Sequence, residues 1–251
     1  MSSLSILTPP DQYREKENLY IDLRSKENRV KTVDQIKKLP YINNKSEYDN
    51  EWKWREKSKD ALLNYFSKSN TKKTYLELGC GNGWLANHLS NLESSVVYAV
   101  DLNMYELNQG REAFDQDNLH FVYGNIFHDI FPDTRFDYII LAASVQYFPS
   151  LTNLLNRLLQ LLSAQGEIHI LDTNFYKRDA LEKARENTIN YYFSLGMPEM
   201  NQYYYHHCLD QLLEFNPIYM NKTIQNRYHR FLLKYLNQRE YHIFPWFKIL
   251  R

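Results

Sequence analysis

The chain has 251 residues, of which 43% are hydrophobic and 15% aromatic, enough to bury a substantial core in one domain or in one domain with an added subdomain. Thirty basic and thirty acidic residues give a formal net charge of zero, which argues against a nucleic-acid binder that relies on a broad positive field. The two cysteines, Cys80 and Cys208, are too few for a disulfide framework and lack the spacing of a zinc site.

The N-terminal part of the chain differs in composition from the rest. Residues 1–45 mix both charges with few apolar anchors and are expected to form a loosely ordered N-terminal arm. The stretch "EWKWREKSKDALLNYF", residues 51–66, is expected to be an added helix. We therefore predict an arm over residues 1–45, an N-terminal helical extension, and one main domain over residues 46–251.

From Thr74 onward, short runs rich in β-branched and aromatic residues alternate with stretches of helical period, which is typical of a parallel α/β sheet. Predicted strands occupy residues 74–79, 96–101, 119–124, 136–144 and 167–173. Predicted helices occupy residues 84–92, 104–114 and 150–166, with Gly166 placed to end the last one. The continuous apolar strand "YIILAA" indicates burial on both faces. We predict a Rossmann-like, seven-stranded, mostly parallel sheet with helices on both faces and an antiparallel last strand.

Residues 174–205 interrupt this alternation and are interpreted as an insertion after the fifth strand. Their aromatic residues predict either a substrate lid or a small satellite core: Tyr191, Tyr192, Phe193, Tyr203, Tyr204 and Tyr205. Residues 206–215, 217–225 and 240–250 are expected to supply a last helix and two closing strands. The basic and aromatic segment from Lys222 to Arg239 is interpreted as a solvated helix face rather than a nucleic-acid groove.

Three of only seven glycines fall in "LELGCGNGW", at positions 79, 81 and 83, directly after the first strand of the alternation. Open α/β sheets bind ligands at such turns, and residues without Cβ let the backbone touch the ligand. The dinucleotide fingerprint needs a glycine where Trp84 stands, which counts against a pyrophosphate cradle. Asp101 ends the next strand, where a carboxylate can accept both ribose hydroxyl hydrogen bonds. The pattern predicts a ligand that contains a nucleoside.

With these residues the sequence resembles the class I S-adenosylmethionine-dependent methyltransferases, specifically the broad small-molecule type. The resemblance covers about residues 74–173 and rests on "LELGCGNG", "YAVDLN", "VYGNIF", "FDYIILAASVQYF" and "LLSAQGEIHILD". It implies S-adenosylmethionine as cofactor and S-adenosylhomocysteine as product. It also implies a set of cofactor-binding residues: Glu77, Gly79, Cys80, Gly81, Gly83, Asp101, Leu102, Asn125, Ile126, Ala142 and Ala143.

On this resemblance, Glu77 and the glycine loop would hold the methionine part of the cofactor, Asp101 the ribose, and Leu102 the adenine. Asn125 stands where the family often has an acidic residue, and its amide oxygen can still accept a bond from the adenine amino group. The residues expected to face the substrate are Gln146, Tyr147 and Tyr203, and the candidate catalytic residues are Tyr147 and His206. Each has a structural alternative: a tight turn for the glycines, a helix cap for Asp101, a turn for Asn125, and core packing for Tyr147 and His206.

Methyl transfer from a sulfonium needs no obligatory triad or metal, because the donor carries its own activated methyl group. His206 and His207 are adjacent, so both cannot easily hold one ion, and no metal is expected. A single histidine there can act as a general base, with a solvated or core position as the alternative. His169 lies in the middle of a predicted strand and is expected to be a satisfied core residue.

These inferences predict a methyltransferase that acts on an oxygen, nitrogen or carbon nucleophile of a small molecule, as a monomer or homodimer. The chain starts with no signal-peptide pattern and has no apolar run long enough to cross a bilayer, so a cytoplasmic location without a membrane partner is expected. An RNA or protein methyltransferase is one alternative, although "AASVQYF" replaces the Asn/Asp-Pro-Pro-Tyr signature of base-amino methylation. A non-catalytic module that binds S-adenosylmethionine is the other.

Overall fold

A computed structural model of the chain describes residues 2–41, 49–68, 71–221 and 244–251. Within these residues, eight strands form one sheet: β1 (Ser3–Ile6), β2 (Lys73–Leu78), β3 (Ser95–Asp101), β4 (Leu119–Tyr123), β5 (Phe136–Ala142), β6 (Leu162–Leu171), β7 (Ile218–Tyr219) and β8 (Phe247–Leu250). Their order in the sheet is β1-β4-β3-β2-β5-β6-β8-β7. The pairs from β1 to β6 are parallel, whereas β8 runs antiparallel to both β6 and β7. The mostly parallel sheet is confirmed, with eight strands in place of the predicted seven.

Helices cover both faces of the sheet. Their bounds are α1 (Arg14–Lys26), α2 (Val33–Ile36), α3 (Asp49–Phe66), α4 (Trp84–Ser90), α5 (Met104–Ala113), α6 (Leu151–Leu161), α7 (Leu181–Ser194) and α8 (Leu209–Leu213). The leucine stripe of α6 packs on one face, and apolar residues of α3, α4 and α5 pack on the other. Because each face of the sheet is covered, the central strands are buried along most of their length.

The strand order places a topological switch point at β2. The chain moves from β2 through β3 to β4 on one side, and then crosses to β5 and β6 on the other side. Ligands of open α/β sheets bind outside the carboxyl ends of the strands at such a point. The ends of β2, β3 and β5 therefore define where the functional site should lie.

The expectation of a loosely ordered arm is wrong for the described part of residues 1–45. Residues 3–6 form β1, which pairs in parallel with β4, and residues 14–26 form α1. Three apolar residues, Leu23, Ile36 and Leu39, anchor this segment because their side chains are buried. Residues 42–48 lie outside the described residues.

The expected helix end at Gly166 is also wrong. Helix α6 ends at Leu161, and Gly166 lies inside β6, which begins at Leu162. A Cβ atom on Gly166 would lie 2.8 Å from the carbonyl oxygen of Phe136, where the pairing with β5 shifts register. The glycine therefore permits close approach of two strands rather than a helix cap.

The C-terminal elements are shorter than expected. Helix α8 begins at Leu209, so His206 and His207 precede it, and β7 contains only two residues. The expected solvated helix face from Lys222 to Arg239 falls outside the described residues. No helix in the described segments combines the length and apolar character needed to span a bilayer.

Candidate active site

A cleft opens at the carboxyl ends of β2, β3 and β5, at the switch point of the sheet. All the predicted cofactor-binding residues except Gly83 line it: Glu77, Gly79, Cys80, Gly81, Asp101, Leu102, Asn125, Ile126, Ala142 and Ala143. The sequence motifs that lie far apart in the chain are thus brought to one edge of the sheet. Tyr147 lines the cleft as well, whereas Gln146, Tyr203 and His206 do not.

Asp101 ends β3 with both carboxylate oxygens hydrogen-bonded to backbone. One oxygen accepts from the N–H of Gly81 at 2.7 Å, and the other accepts from the N–H of Leu102 at 2.7 Å. Burial raises the pKa of Asp101, and the backbone N–H groups of Gly81, Leu102 and Asn103 oppose that rise, together with the charge of Lys16. The carboxylate keeps lone-pair capacity for a hydroxyl donor on a ligand.

Glu77 lies on β2 with a side chain that is only 2% exposed. Among the described residues, its Oε2 is a buried side-chain atom without a hydrogen-bond partner. Burial raises the pKa of Glu77 to about 8, and a bond from the Ala86 N–H opposes the rise. A buried carboxylate oxygen without a donor is costly to maintain, so a cationic or N–H group of a ligand at this position would stabilise it.

The three glycines of the loop have positive φ angles, and each meets a different neighbour. A Cβ atom on Gly79 would lie 2.4 Å from Cβ of Ser144, and one on Gly83 would lie 2.5 Å from Cε1 of Phe121. The nearest atom to a Cβ on Gly81 is a carboxylate oxygen of Glu106 at 3.1 Å. Gly79 and Gly83 are therefore required by packing inside the protein, whereas the nearest neighbour of Gly81 is the end of the flexible Glu106 side chain.

Glu106 is a cleft-lining carboxylate that the sequence analysis missed. It lies in the first turn of α5, whose N-terminus is capped by Asn103, and burial together with the charge of Asp101 raises the pKa of Glu106 to about 7. The sequence could have indicated this role, because Glu106 lies three residues after the helix cap Asn103. A side chain at that position faces back toward the strand end that precedes the helix.

Residues of α1 and the following turn also line the cleft, although the sequence analysis did not assign them a role. They include Lys16, Tyr20, Ile21, Arg24, Arg29 and Lys31. Trp52 and Arg55 of α3 complete this side. The cover of the cleft thus comes from the N-terminal segment.

Asn125 follows β4 and is held on three sides. Its backbone N–H donates to the hydroxyl of Thr8 at 2.9 Å, and its amide nitrogen donates to the hydroxyl of Tyr13 at 2.6 Å. Its amide oxygen accepts from the N–H of Phe127 at 3.0 Å, which forms a local turn. The local turn therefore uses one lone pair of the Asn125 amide oxygen. The second lone pair can still accept a hydrogen bond from an adenine amino group.

A second cavity, which we call the inner chamber, adjoins the cleft. Its own lining includes Gln146, Asp172, Asn174, Tyr176 and Tyr205. The wall shared with the cleft is formed by Arg24, Arg29, Arg55, Ala143 and Tyr147. The predicted substrate residues Gln146 and Tyr147 therefore meet at the junction of the two cavities.

The strand ends beside this junction have unusual backbone angles. Ala143 has a φ of 55° and Asp172 a φ of 53°, both in the left-handed region that non-glycine residues seldom adopt. The N–H of Ala143 donates to the carbonyl of Leu171, the residue before Asp172, at 3.0 Å. This bond holds Ala143 and Asp172 at the ends of adjacent strands. Such strain is often found at functional sites.

The insertion, residues 174–205, packs mainly against α1. Leu23 of α1 forms a small buried cluster with Tyr192, Met197 and Met200. This cluster is the satellite core that was one of the two predicted roles of the insertion. Only the two ends of the insertion, with Asn174, Tyr176, Tyr204 and Tyr205, reach the inner chamber. Its role as a substrate lid stays a prediction.

Tyr203 and His206 lie away from the cofactor cleft. Tyr203 is half-buried, and its ring centroid lies 5.7 Å from the ammonium of Lys16, which itself lines the cleft. Nε2 of His206 is 2.9 Å from the hydroxyl of Thr188 in a separate surface groove. Neither side chain lines the cleft, and their roles toward a substrate stay predictions.

His169 is a satisfied core residue, as expected. Its side chain is fully buried, its Nε2 is 3.0 Å from a carboxylate oxygen of Glu167, and its Nδ1 accepts from the indole N–H of Trp246 at 3.0 Å. These partners assign the proton of the neutral ring to Nε2. Across the described segments, no group of three or more His, Cys, Asp or Glu side chains is arranged to hold a metal ion.

The chain is similar to known methyltransferases in sequence. A family described as a methyltransferase domain matches residues 52–216, well over half of the chain. A malonyl-[acyl-carrier protein] O-methyltransferase from Acetivibrio thermocellus is 26% identical over 133 residues, which is 52% of this chain and 47% of that protein. The chain thus matches about half the length of this curated relative.

Two solved structures extend the comparison to most of the chain. The plantazolicin methyltransferase BpumL, in complex with a pentazolic desmethylPZN analog and S-adenosylhomocysteine, is 16% identical with a TM-score of 0.54, over 97% of this chain and 99% of that one. The YcgJ protein from Bacillus subtilis is also 16% identical, with a TM-score of 0.55 over 77% of this chain and 96% of that one. At such identities the likeness shows a shared fold.

Proposed function

Because the chain belongs to the methyltransferase-domain family, we propose that it is an S-adenosylmethionine-dependent methyltransferase that acts on an oxygen, nitrogen or carbon nucleophile of a small molecule. The predicted membership of the class I family is confirmed by the match over residues 52–216. The names of two similar proteins, a malonyl-[acyl-carrier protein] O-methyltransferase and a plantazolicin methyltransferase, support an acceptor other than nucleic acid.

One observation carries the proposal. Glu77 and Asp101, on neighbouring strands, present a buried carboxylate oxygen without a donor and a backbone-anchored carboxylate to the same cleft. The amino acid part of S-adenosylmethionine has an ammonium group, and its ribose has two hydroxyls, so the residues present fit this cofactor. Glu77 would accept from the ammonium group, Asp101 from the ribose hydroxyls, and Leu102 and Ile126 would contact the adenine.

When bound, S-adenosylmethionine supplies a methyl group that its sulfonium has already activated. The chain has to align the acceptor and exclude water. Tyr147, on the wall shared by the two cavities, would align the methyl acceptor. Its hydroxyl oxygen accepts from a guanidinium N–H of Arg24 at 3.2 Å, so its own O–H is left to donate to the methyl acceptor. Helix α1 serves the second purpose by covering the cleft with Tyr20 and Ile21.

Isothermal titration calorimetry with S-adenosylmethionine and S-adenosylhomocysteine tests the proposal. We expect both to bind with micromolar dissociation constants, and NADH, offered at the same concentrations, to produce no binding heat. Release of S-adenosylhomocysteine across panels of carboxylic acids, alcohols, phenols and amines then identifies the acceptor class. Absence of both heat and thermal stabilisation at saturating S-adenosylhomocysteine would contradict the proposal.

A further inference from the structure

The wall between the cleft and the inner chamber concentrates positive charge. Arg29, after α1, and Arg55, on α3, both donate to the same oxygen of Glu51, each at 2.7 Å. Guanidinium groups repel one another, and Arg29 also lies 4.0 Å from a carboxylate oxygen of Glu27, so two carboxylates serve these two arginines. The shared oxygen holds the two forks in fixed positions beside the cavities that both arginines line.

Arg24 adds a third guanidinium from α1. It donates to a carboxylate oxygen of Glu27 at 2.8 Å and to the hydroxyl of Tyr147 at 3.2 Å. The exposed side-chain fractions of Arg24, Arg29 and Arg55 are only 18%, 20% and 21%. All three are paired with two carboxylates, Glu27 and Glu51, and this pairing holds the guanidinium groups in the wall that both cavities share.

The neighbouring Lys31 reports the same positive potential. Burial lowers the pKa of Lys31 most, and the charge of Arg29 lowers it further; Glu51 opposes the shift, and Arg55 and Arg24 add smaller lowering effects. Lys31 thus lies within reach of the positive charges that line the cleft.

Two polar side chains of the inner chamber already have partners inside the protein. Asp172 accepts from the hydroxyl of Ser58 at 2.6 Å, and the amide nitrogen of Gln146 donates to the carbonyl of Ala143 at 2.6 Å. Planar guanidinium forks match a carboxylate with two parallel N–H···O bonds, a match that an ammonium group cannot provide.

We propose that the inner chamber binds the methyl acceptor through a carboxylate that Arg29 and Arg55 hold beside the cofactor cleft. The inference rests on the proposed function and names the acceptor class that this function leaves open. Tyr147, fixed by Arg24 on the same wall, lines both the inner chamber and the cofactor cleft, so it would lie beside the bound acceptor.

The competing role for these arginines is to bind the carboxylate of the cofactor itself. The two roles differ in a measurable way. An arginine that serves the cofactor is occupied once S-adenosylhomocysteine is bound, whereas an arginine that serves the acceptor still binds a second carboxylate.

The test is calorimetric titration of malonate into the full chain saturated with S-adenosylhomocysteine, in 0.15 M salt to suppress non-specific binding. Malonate is expected to bind with a millimolar dissociation constant, and methylammonium and acetamide, the cationic and neutral probes, are expected not to bind. Arg55→Gln should weaken malonate binding by about tenfold or more, because it removes both the charge and the fork. Arg55→Lys should have an intermediate effect, because it keeps the charge alone.

Arg178→Gln is the matched control. Arg178 is an exposed arginine that pairs with Asp210 outside both cavities, so its loss should leave malonate binding unchanged. Unchanged S-adenosylhomocysteine affinity in Arg55→Lys shows that the substituted chain is folded. Malonate that fails to bind the saturated wild type overturns the acceptor inference and leaves the proposed function intact. An S-adenosylhomocysteine titration without heat overturns the proposed function itself.

Discussion

One carboxylate oxygen of Asp101, at the end of β3, accepts a 2.7 Å hydrogen bond from the backbone N–H of Gly81, in the loop after β2. The carboxylate thus fixes the loop that follows one strand from the end of the next strand. The ribose of a bound cofactor would add hydroxyl donors to an acceptor that is already held in place. The conformation of the glycine loop and the affinity for the cofactor should therefore both depend on the negative charge of Asp101.

Asp101→Asn tests this dependence. The substitution turns one acceptor oxygen into an NH₂ group that faces a backbone N–H, and it removes the negative charge. A hydrogen bond to a charged group contributes about 1.5–3 kcal/mol, so we expect S-adenosylhomocysteine affinity to fall by about tenfold or more in calorimetry. Asp210→Asn, at an exposed aspartate outside the cleft, is the control and should bind as the wild type does. Equal affinities for the two variants would remove Asp101 from the binding site.

Alanine substitutions should separate two uses of glycine in the loop. Gly83→Ala places a Cβ 2.5 Å from the ring of Phe121 at a φ of 69°, and we expect unfolding free energy to drop by about 2 kcal/mol or more in denaturant titrations. Gly81→Ala meets only a flexible carboxylate at 3.1 Å, so its cost should be about 1 kcal/mol, from the positive φ. The larger loss of S-adenosylhomocysteine affinity should then belong to Gly81→Ala. The reverse ranking in either measurement would contradict these roles.

The glycine loop and Asp101 could be predicted because both follow apolar strands whose pattern is unambiguous. The cover of the cleft could not. A helix that lies over a polar cleft has a polar inner face, and the inward side of α1 carries Lys16, Tyr20 and Arg24. Leu23 is its one fully buried residue, so the segment lacks the apolar stripe by which amphipathic helices are found. Strand β1 escaped prediction because four residues at a sheet edge are too short to show a period.

Glu77 should couple cofactor binding to proton release. Its pKa of about 8 means that the carboxyl is mostly protonated at pH 7, and an ammonium group beside it favours the ionised form. We therefore expect S-adenosylhomocysteine binding at pH 7 to release a proton, and affinity to rise as the pH increases from 6 to 8. Calorimetry in buffers of different ionisation enthalpy measures the number of protons released.

Two variants assign that proton. Glu77→Gln keeps a carbonyl oxygen for the Ala86 N–H and cannot ionise, so the release should be lost. Glu106→Gln removes a second cleft-lining carboxyl, whose pKa is raised to about 7, and should leave most of the release in place. A release that survives in Glu77→Gln and vanishes in Glu106→Gln would transfer the role to Glu106.

His169 should make folding stability depend on pH. Burial lowers the pKa of His169, and the charged ring would replace its acceptor Nδ1 with a donor that opposes the indole N–H of Trp246. The unfolded chain therefore binds the proton more readily, so stability is complete above about pH 6.5 and is lost as the pH falls below it. Unfolding free energies of the wild type at pH 7 and pH 5 should differ more than those of His169→Phe, which cannot titrate. Parallel profiles would show that this histidine does not titrate with folding.

The satellite core should control ligand binding without touching the ligand. Tyr192 of α7 is buried against Leu23 of α1, and α1 supplies the cover of the cleft. Tyr192→Ala should lower the unfolding free energy by about 3 kcal/mol, as expected for removal of a buried aromatic ring. It should also increase hydrogen exchange in residues 14–26 and weaken S-adenosylhomocysteine binding, because the docking of α1 is loosened. Phe193, the next residue on the same helix, is 74% exposed. Phe193→Ala should therefore leave the unfolding free energy, the hydrogen exchange and the S-adenosylhomocysteine affinity unchanged. Loss of stability in Tyr192→Ala with unchanged affinity would mean that α1 holds its place over the cleft independently of α7.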